Sequence, residues 1–180
     1  MSVLIIGGNS SIGSQLCHHL TKTNTKVITT SRRSDVQHAL WLDLADDQSV
    51  NNFQVPKVDS CIFLASVTSM ADCENSPLTS HKINVSNTIK ILEKLNTNKV
   101  YTIFPSSNQV FDAHSPSNTL STTPLPNNNY GSMKLEVEKY IQHDYPNAAI
   151  LRLGKIIGKQ FPLIEQFLFV LLLLFYQNKN

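Results

Sequence analysis

A tyrosine and a lysine stand four residues apart, at Tyr130 and Lys134. Strong helix formers follow Gly131, which predicts a helix that begins near Asn129 or Tyr130. Residues four apart lie on one face of a helix, so the phenol and the ammonium would be neighbours. A nearby cation favours the phenolate and lowers a phenol pKa that is ordinarily about 10. Such a pair could therefore transfer a proton near neutral pH, unless it is only two surface side chains at helical spacing.

The first segment of the chain has the order strand, glycine turn, helix. The apolar run 3–6 is typical of a buried parallel strand, and it ends at Gly7, after which apolar residues recur at helical spacing. Free N–H groups and the helix dipole suit a pyrophosphate at such a helix start, with Gly13 allowing close packing. Ser10 or Ser11 stands where a further glycine is expected, and a side chain there could crowd the pyrophosphate. The alternative is a plain structural turn.

A pair of arginines follows the second predicted strand, which spans 26–30. An acidic residue at this point would bind the ribose hydroxyls of NAD, whereas arginine can take a 2′-phosphate. Arg32 and Arg33 come before the first acid, Asp35, which favours NADP and leaves NAD as the second choice. The alternative is a solvated basic turn.

Four more runs read as strands, and helical patterns separate most of them. These strands are predicted at 39–44, 58–66, 99–104 and 148–153. The alternation predicts an α/β fold, a doubly wound parallel sheet with helices on both faces. Ligands bind at the carboxyl ends of the strands in such sheets. The residues that would lie at that edge are Gly7, Arg32, Asp43, Ala65 and Ser107.

A long helical pattern runs from Ser76 through Leu95. Asn84 lies within this pattern and would face the core. A buried amide needs hydrogen-bond partners, so Asn84 is predicted to be bonded.

Length and composition limit the function classes. The chain has 180 residues, which suits one domain, and its net charge of +2 gives no block of positive charge for nucleic acid. Three cysteines without short paired spacing indicate reduced thiols in a cytoplasmic protein. The six histidines have no metal-ligand spacing, so no metal is expected, and the N-terminus lacks the basic region of a signal peptide.

The C-terminal part of the chain is strongly apolar. Every residue from 167 to 176 is apolar or aromatic, which is too short for a membrane span of about 20 residues. We interpret the apolar segment 161–176 as a buried helix, or as one covered by a partner or a second copy. Interfacial contact with a membrane is the alternative.

Together these motifs resemble the extended short-chain dehydrogenase/reductase superfamily, and most closely its dTDP-4-dehydrorhamnose reductase-like group, which acts on nucleotide sugars. Several motifs carry the resemblance in the family's order, over roughly residues 3 to 158. They are the turn Gly7 to Gly13, Leu64-Ala65-Ser66, Ile83-Asn84-Val85, Ser107 to Asp112, Tyr130 to Lys134, and Ile150 to Gly154 with Gly158.

The resemblance implies a Rossmann-type NAD(P)-binding domain over 1–158 and an oxidoreductase acting on a nucleotide sugar. Tyr130 would protonate the carbonyl oxygen, Lys134 would lower the phenol pKa and hold the nicotinamide ribose, and Ser107 would donate a hydrogen bond to the same oxygen. Asn84 would support the lysine and complete the catalytic set. The cofactor would contact Gly7, Asn9, Ser10, Ser11, Ile12, Gly13, Arg32, Arg33, Asp43, Leu44, Ala65 and Ser66, together with Tyr130 and Lys134.

The sequence departs from the family pattern after about Gly158. Family members usually continue into a C-terminal substrate-binding lobe, whereas here residues 159–180 form the apolar segment, so the chain reads as C-terminally truncated. Which sugar is bound, and whether the reaction is reduction, epimerisation or dehydration, depends on that lobe. The alternatives are a non-catalytic NAD(P)-binding regulatory module and a truncated remnant.

Overall fold

Six parallel strands form one sheet in the computed structural model, which describes residues 1–112 and 122–154. The strands are β1 (Ser2–Ile6), β2 (Lys26–Ser31), β3 (Ala39–Trp41), β4 (Ser60–Phe63), β5 (Tyr101–Ser107) and β6 (Ala148–Leu153). Their order is β3-β2-β1-β4-β5-β6, and every pairing is parallel. The chain order reverses between β1 and β4, which is where doubly wound sheets open a crevice.

Helices connect every consecutive pair of strands except β2 and β3, which a loop of residues 32–38 joins. They are α1 (Ser11–Lys22), α2 (Asp47–Asn52), α3 (Met70–Asn75), α4 (Pro77–His81), a π-helical turn (Lys82–Ser86), α5 (Asn87–Thr97), a 3₁₀ turn (Asn108–Val110) and α6 (Asn129–Asp144). α6 begins at Asn129, as the helix formers after Gly131 predicted.

Apolar side chains cover both faces of the sheet. Val3 and Ile5 of β1 pack with Leu16 of α1 on one face. The alternate residues, Leu4 and Ile6, pack on the other face with residues of α5 and α6. Since successive strand residues point to opposite faces, an uninterrupted apolar strand must be covered on both sides. The predicted fold class is confirmed.

The structure corrects several predicted boundaries. β3 ends at Trp41, because as the edge strand it pairs only with β2, although the Leu42 N–H still donates to the Ser31 carbonyl. The helical pattern from 76 to 95 is broken into α4, the π-helical turn and α5. One π turn adds a residue to the helix, which no sequence period reveals.

Some predictions fall outside the described residues. These are the segment 159–180, its apolar part 161–176 with the proposed partner or membrane contact, and Gly158. Among the helices of residues 1–112 and 122–154, none is long and apolar enough to cross a membrane. The cytoplasmic location stays a prediction.

Candidate active site

Two adjoining clefts open at the carboxyl edge of the sheet. The first, the glycine-turn cleft, has a volume of about 440 Å³, and the second, the tyrosine cleft, about 520 Å³. Both lie within the range of small-molecule sites. Ser10, Leu64 and Ser66 line both, which puts their junction at the crevice between β1 and β4.

The turn after β1 requires glycine. Gly7 has φ +86°, a left-handed conformation that side chains disfavour, and a Cβ there would stand 2.9 Å from the Ala65 nitrogen. A Cβ on Gly13 would collide with the Gly7 carbonyl oxygen. These two glycines let the start of α1 lie directly on the turn, as their spacing predicted.

Ser10 is the N-cap of α1. Its Oγ accepts a hydrogen bond from the Gly13 N–H at 3.0 Å. This bond satisfies one of the free N–H groups at the helix start and holds the hydroxyl toward the helix. Ser10, Ser11 and Ile12 also line the tyrosine cleft.

Thr30 was missed by sequence reasoning. Its Oγ1 accepts from the Gly7 N–H at 3.1 Å, its carbonyl accepts from the Gly8 N–H, and it lines the glycine-turn cleft. The signal was its place near the end of β2, two residues before Arg32.

The two arginines differ in their surroundings. Arg32 lines the glycine-turn cleft, and its carbonyl accepts from the Trp41 indole at 3.3 Å. Arg33 is not among the residues that line this cleft. Its guanidinium binds Asp35 through two bonds, of 3.0 and 2.7 Å. The structure therefore brings only Arg32 to the cleft.

The loop after β3 forms another wall of the glycine-turn cleft. The Asp43 N–H donates to the Ser49 hydroxyl at 2.9 Å, and the Asp43 carboxylate accepts from the Ala45 N–H. The fully buried Asn87 donates to the Leu44 carbonyl at 2.9 Å. Asn9, Asp43, Leu44, Ala65 and Ser66 all line this cleft.

Asn84 holds the segment after β4. Its Oδ1 accepts from the Val67 N–H at 2.8 Å and from the Ser66 hydroxyl at 3.0 Å, while its Nδ2 donates to the Val67 carbonyl. The amide is 3% exposed, so the prediction that it is buried and bonded is confirmed. Among the described residues, the other Asn84 contacts go to the sulfur atoms of Cys73 and Met133. Its support of Lys134, which in the family often runs through water, stays a prediction.

The structure brings Ser107, Tyr130 and Lys134 together as lining residues of the tyrosine cleft. They come from the end of β5 and the first two turns of α6. The Ser107 Oγ accepts from the Gln109 N–H at 3.2 Å, which fixes the hydroxyl at the start of the 3₁₀ turn. The Lys134 Nζ stands 5.8 Å from the centre of the Tyr130 ring.

Lys134 is a buried cation. Its side chain is 5% exposed, its Nζ donates to the Pro105 carbonyl at 3.1 Å, and it stands 4.7 Å from the centre of the Phe104 ring. Burial disfavours the charged form and lowers the pKa of Lys134 to about 8.

The pKa of Tyr130 departs from the expected direction. The sequence predicted that Lys134 would lower it, but burial raises the pKa of this phenol above its ordinary value. The phenol therefore stays protonated at neutral pH, which suits a proton donor.

Gly131 was not singled out by sequence reasoning. A Cβ at this position would collide with the carbonyl of Gln109, so only glycine lets α6 approach the 3₁₀ turn this closely. This contact sits one residue after Tyr130 and two residues after Ser107. A signal was available, because glycine inside a helix costs about 1 kcal/mol relative to alanine and such a position calls for a reason.

An ion pair with a fully buried carboxylate links β6 to α6. Arg152 of β6 binds Glu138 of α6 through three contacts of 2.7 to 3.2 Å, and the Glu138 carboxylate is fully buried. The Arg152 guanidinium also stacks 4.9 Å from the centre of the Phe111 ring. The pair thus ties α6 to β6 and to the segment after Ser107.

Within the described part of the chain, no group of three or more His, Cys, Asp or Glu residues could hold a metal ion. The polar side chains that line the clefts carry hydroxyls, an amide, a phenol, two cations and the Asp43 carboxylate. Such a set suits an anionic, hydroxyl-rich ligand.

The family described as the RmlD substrate binding domain matches residues 1–180. A UDP-glucose 4-epimerase from Erwinia amylovora is 27% identical over 167 residues, which cover 82% of this chain and 49% of the relative. The chain spans about half the length of the curated relatives it matches.

Solved structures are similar over the same region. The dTDP-4-dehydrorhamnose reductase of Yersinia enterocolitica has a TM-score of 0.77 and 27% identity, covering 87% of this chain and 53% of that one. The Bacillus anthracis dTDP-4-dehydrorhamnose reductase, solved with NADP, has a TM-score of 0.76 at 20% identity, covering 88% and 55%, and shows the shared fold alone.

Proposed function

The chain belongs to the RmlD substrate binding domain family, among nucleotide-sugar reductases and epimerases, and from this premise we propose that it binds NADP and reduces or epimerises a nucleotide sugar. The observation that carries the proposal is the convergence of Ser107, Tyr130 and Lys134 on one cleft that adjoins the glycine turn. NAD is the second choice of cofactor.

The residues present fit a dinucleotide. The left-handed Gly7 leaves room for a pyrophosphate beside the N-terminus of α1, a helix of 12 residues. Arg32 offers a cation to a 2′-phosphate, and the Asp43–Leu44 backbone offers a wall for adenine. Asn9, Ser11, Ala65 and Ser66 would line its path between the two clefts.

The bound nicotinamide supplies the hydride in this chemistry. Tyr130 donates its proton to the carbonyl oxygen of the sugar, and the raised pKa keeps that proton in place until it is needed. The Ser107 hydroxyl donates a hydrogen bond to the same oxygen, a contribution of about 3 kcal/mol for a well-placed donor.

Lys134 has two parts in the proposed reaction. An ammonium has three N–H donors, and the Pro105 carbonyl takes one, which leaves two for the ribose hydroxyls. Its charge also favours the phenolate that remains after proton transfer. Asn84 acts at a distance, by fixing the Ser66–Val67 backbone beside the cofactor path.

The cofactor is tested by titrating NADPH and NADH against the fluorescence of Trp41, the single tryptophan of the chain. We expect Arg32→Ala to weaken NADPH binding about 10- to 100-fold, the value of one charge-assisted contact, and to leave NADH binding unchanged. Arg33→Ala is the matched control, and we expect an effect of less than about two-fold, since Asp35 already holds that guanidinium. Absence of binding of both cofactors would refute the proposal.

The reaction is tested with dTDP-4-dehydrorhamnose and NADPH, and with UDP-glucose for epimerisation. We expect Tyr130→Phe to keep cofactor affinity and to lose about 10²- to 10⁴-fold in rate. Cofactor binding without turnover of either sugar would favour the non-catalytic binding module.

A further inference from the structure

The first turn of α6 is held from outside the helix, immediately before Tyr130. The Glu74 carboxylate of α3 accepts from the Asn129 backbone N–H at 2.7 Å and from its side-chain amide at 2.7 Å. Glu74 lies 55 residues earlier in the chain. Both carboxylate oxygens therefore bind the residue next to the phenol.

The same turn is held on its other side by the 3₁₀ turn that follows Ser107. Asn128, the N-cap of α6, accepts from the Gly131 N–H at 2.8 Å and donates to the Gln109 side chain at 2.9 Å. Gly131 packs so closely on the Gln109 carbonyl that a Cβ at this position would collide with it. Tyr130 thus stands between two external anchors, one on α3 and one on the 3₁₀ turn.

The helix that carries Glu74, α3, is held in place by contacts of its own residues. The preceding residue, Cys73, is fully buried, and its sulfur accepts from the Asn84 amide. Ser69 caps α3 by accepting from the Asp72 N–H at 3.1 Å. The carboxylate is exposed, but the helix that carries it is anchored to the segment that Asn84 holds.

We propose that Glu74 is a positioning residue for Tyr130: its carboxylate grips Asn129 and sets the place of the phenol relative to Ser107 in the tyrosine cleft. This inference rests on the proposed function for its consequence in catalysis. A displaced proton donor loses rate steeply, because reacting groups must meet at close to contact distance.

A general electrostatic role makes a different prediction. A carboxylate near a helix N-terminus stabilises the dipole without needing a particular partner. Under that role, loss of the charge would matter and the identity of residue 129 would not. Under the positioning role, the pair of bonds to Asn129 matters.

The experiment exchanges the two partners. Asn129→Asp opposes two carboxylates and breaks the side-chain bond, whereas the double variant Glu74→Gln, Asn129→Asp restores it, with the new amide donating to the new carboxylate. Glu74→Gln alone keeps both bonds after rotation of the Asn129 amide. We expect Glu74→Ala and Asn129→Asp to lower kcat about 10- to 100-fold, with the KM for NADPH within about two-fold. We expect the double variant to recover most of that loss.

A second readout does not need turnover. The NMR signal of the Tyr130 ring carbon that bears the hydroxyl, assigned by its loss in Tyr130→Phe, should shift in Glu74→Ala and Asn129→Asp and return in the double variant. If the wild type binds NADPH without turnover, this signal alone decides the positioning role, separately from the proposed function.

The matched control is Glu136→Gln. Glu136 is an exposed carboxylate on α6, beyond the first turn of the helix, and it pairs with His81 of α4 at 3.1 Å. We expect neither kcat nor the Tyr130 signal to change. An unchanged Tyr130 signal in Glu74→Ala, or failure of the double variant to restore what Asn129→Asp loses, would overturn the proposal.

Discussion

The two clefts are built differently. The glycine-turn cleft is formed mainly by backbone turns and small polar groups at or just after the ends of strands, as at Gly7, Thr30 and Asp43. The tyrosine cleft depends on one helix, α6, laid against the strand ends, and buried charges at Lys134 and Glu138 accompany it. The order of the strands therefore determines the glycine-turn cleft, whereas the packing of α6 against the sheet determines the tyrosine cleft.

This difference has an energetic consequence. Removing one neutral hydrogen bond from a turn lowers the free energy of unfolding by about 1 kcal/mol, because water can replace the lost partner. A buried charge that loses its partner costs several times more. Changes around the tyrosine cleft should therefore destabilise the protein more than changes around the glycine-turn cleft.

The largest effect is expected for Arg152→Ala. This change leaves the fully buried Glu138 carboxylate without its partner, so we expect the free energy of unfolding to fall by about 3–5 kcal/mol, measured by urea denaturation. The paired change Arg152→Met with Glu138→Leu removes both charges and should recover most of the loss. A loss below about 1 kcal/mol in the single variant would remove the energetic contrast between the clefts.

The second largest loss in the free energy of unfolding is expected for Gly131→Ala. The added methyl collides with the Gln109 carbonyl, and overpacking of this kind costs about 1–3 kcal/mol. Ser132→Ala, one residue further along the same turn, is the control and should cost less. Because the collision lies beside the tyrosine cleft, NADPH-dependent turnover should fall more than NADPH affinity. Wild-type stability in Gly131→Ala would mean that α6 shifts freely on the 3₁₀ turn.

Lys134 should make stability depend on pH in an unusual direction. Its pKa of about 8 in the folded protein is below the ordinary value of about 10.4, so between these values the unfolded chain holds more protons. The contribution of Lys134 to stability therefore rises with pH across this window. Relative to Lys134→Met, the wild type should gain on the order of 1–3 kcal/mol from about pH 7 to about pH 10 in urea denaturation. If the difference in the free energy of unfolding between the wild type and Lys134→Met did not change with pH, the lowered pKa of Lys134 would be contradicted.

The same titration should affect the cofactor. The proposed bond to the ribose uses the ammonium, so NADPH affinity should weaken as pH rises above about 8 in the wild type. In Lys134→Met, affinity should be lower at neutral pH and should lack this decline. Trp41 fluorescence titrations at several pH values make the comparison.

The smallest effect is expected at the glycine-turn cleft. Ser49→Ala removes the acceptor of the Asp43 N–H, a bond of 2.9 Å in a half-buried loop. We expect a loss of about 1 kcal/mol in stability and a similar loss in NADPH affinity. A loss as large as that of Arg152→Ala would show that the loop after β3 is held as tightly as α6.

Most of the fold could be read from the sequence because buried parallel strands and their connecting helices have distinct periods. Few strand orders are compatible with alternating strands and helices, and Gly7 and Gly13 identify the glycine turn. Strand ends were less predictable, since β3 stops where its only neighbour stops. The π turn at Asn84 was invisible because a single inserted residue leaves the apolar pattern nearly intact.

The candidate site was also predicted only in part. Tyr130 and Lys134 were found from residue type and spacing, and Ser107 from its place at a predicted strand end together with the family resemblance. The structure puts all three in one cleft. The direction of the Tyr130 pKa was wrong, because it depends on burial, which spacing does not give. Arg32 and Arg33 were equivalent in sequence, whereas in the structure Arg32 lines the glycine-turn cleft and Arg33 binds Asp35.

The sequence by itself determined the elements, their order and the chemical groups at the strand ends, because each of these depends on residues that are close together in the chain. Tertiary structure decided how α6 is seated, through Glu74, Gln109 and Arg152, which lie 14 to 55 residues from their partners. Contacts at that separation depend on how whole elements pack, and packing also sets the burial that tunes the phenol and the ammonium.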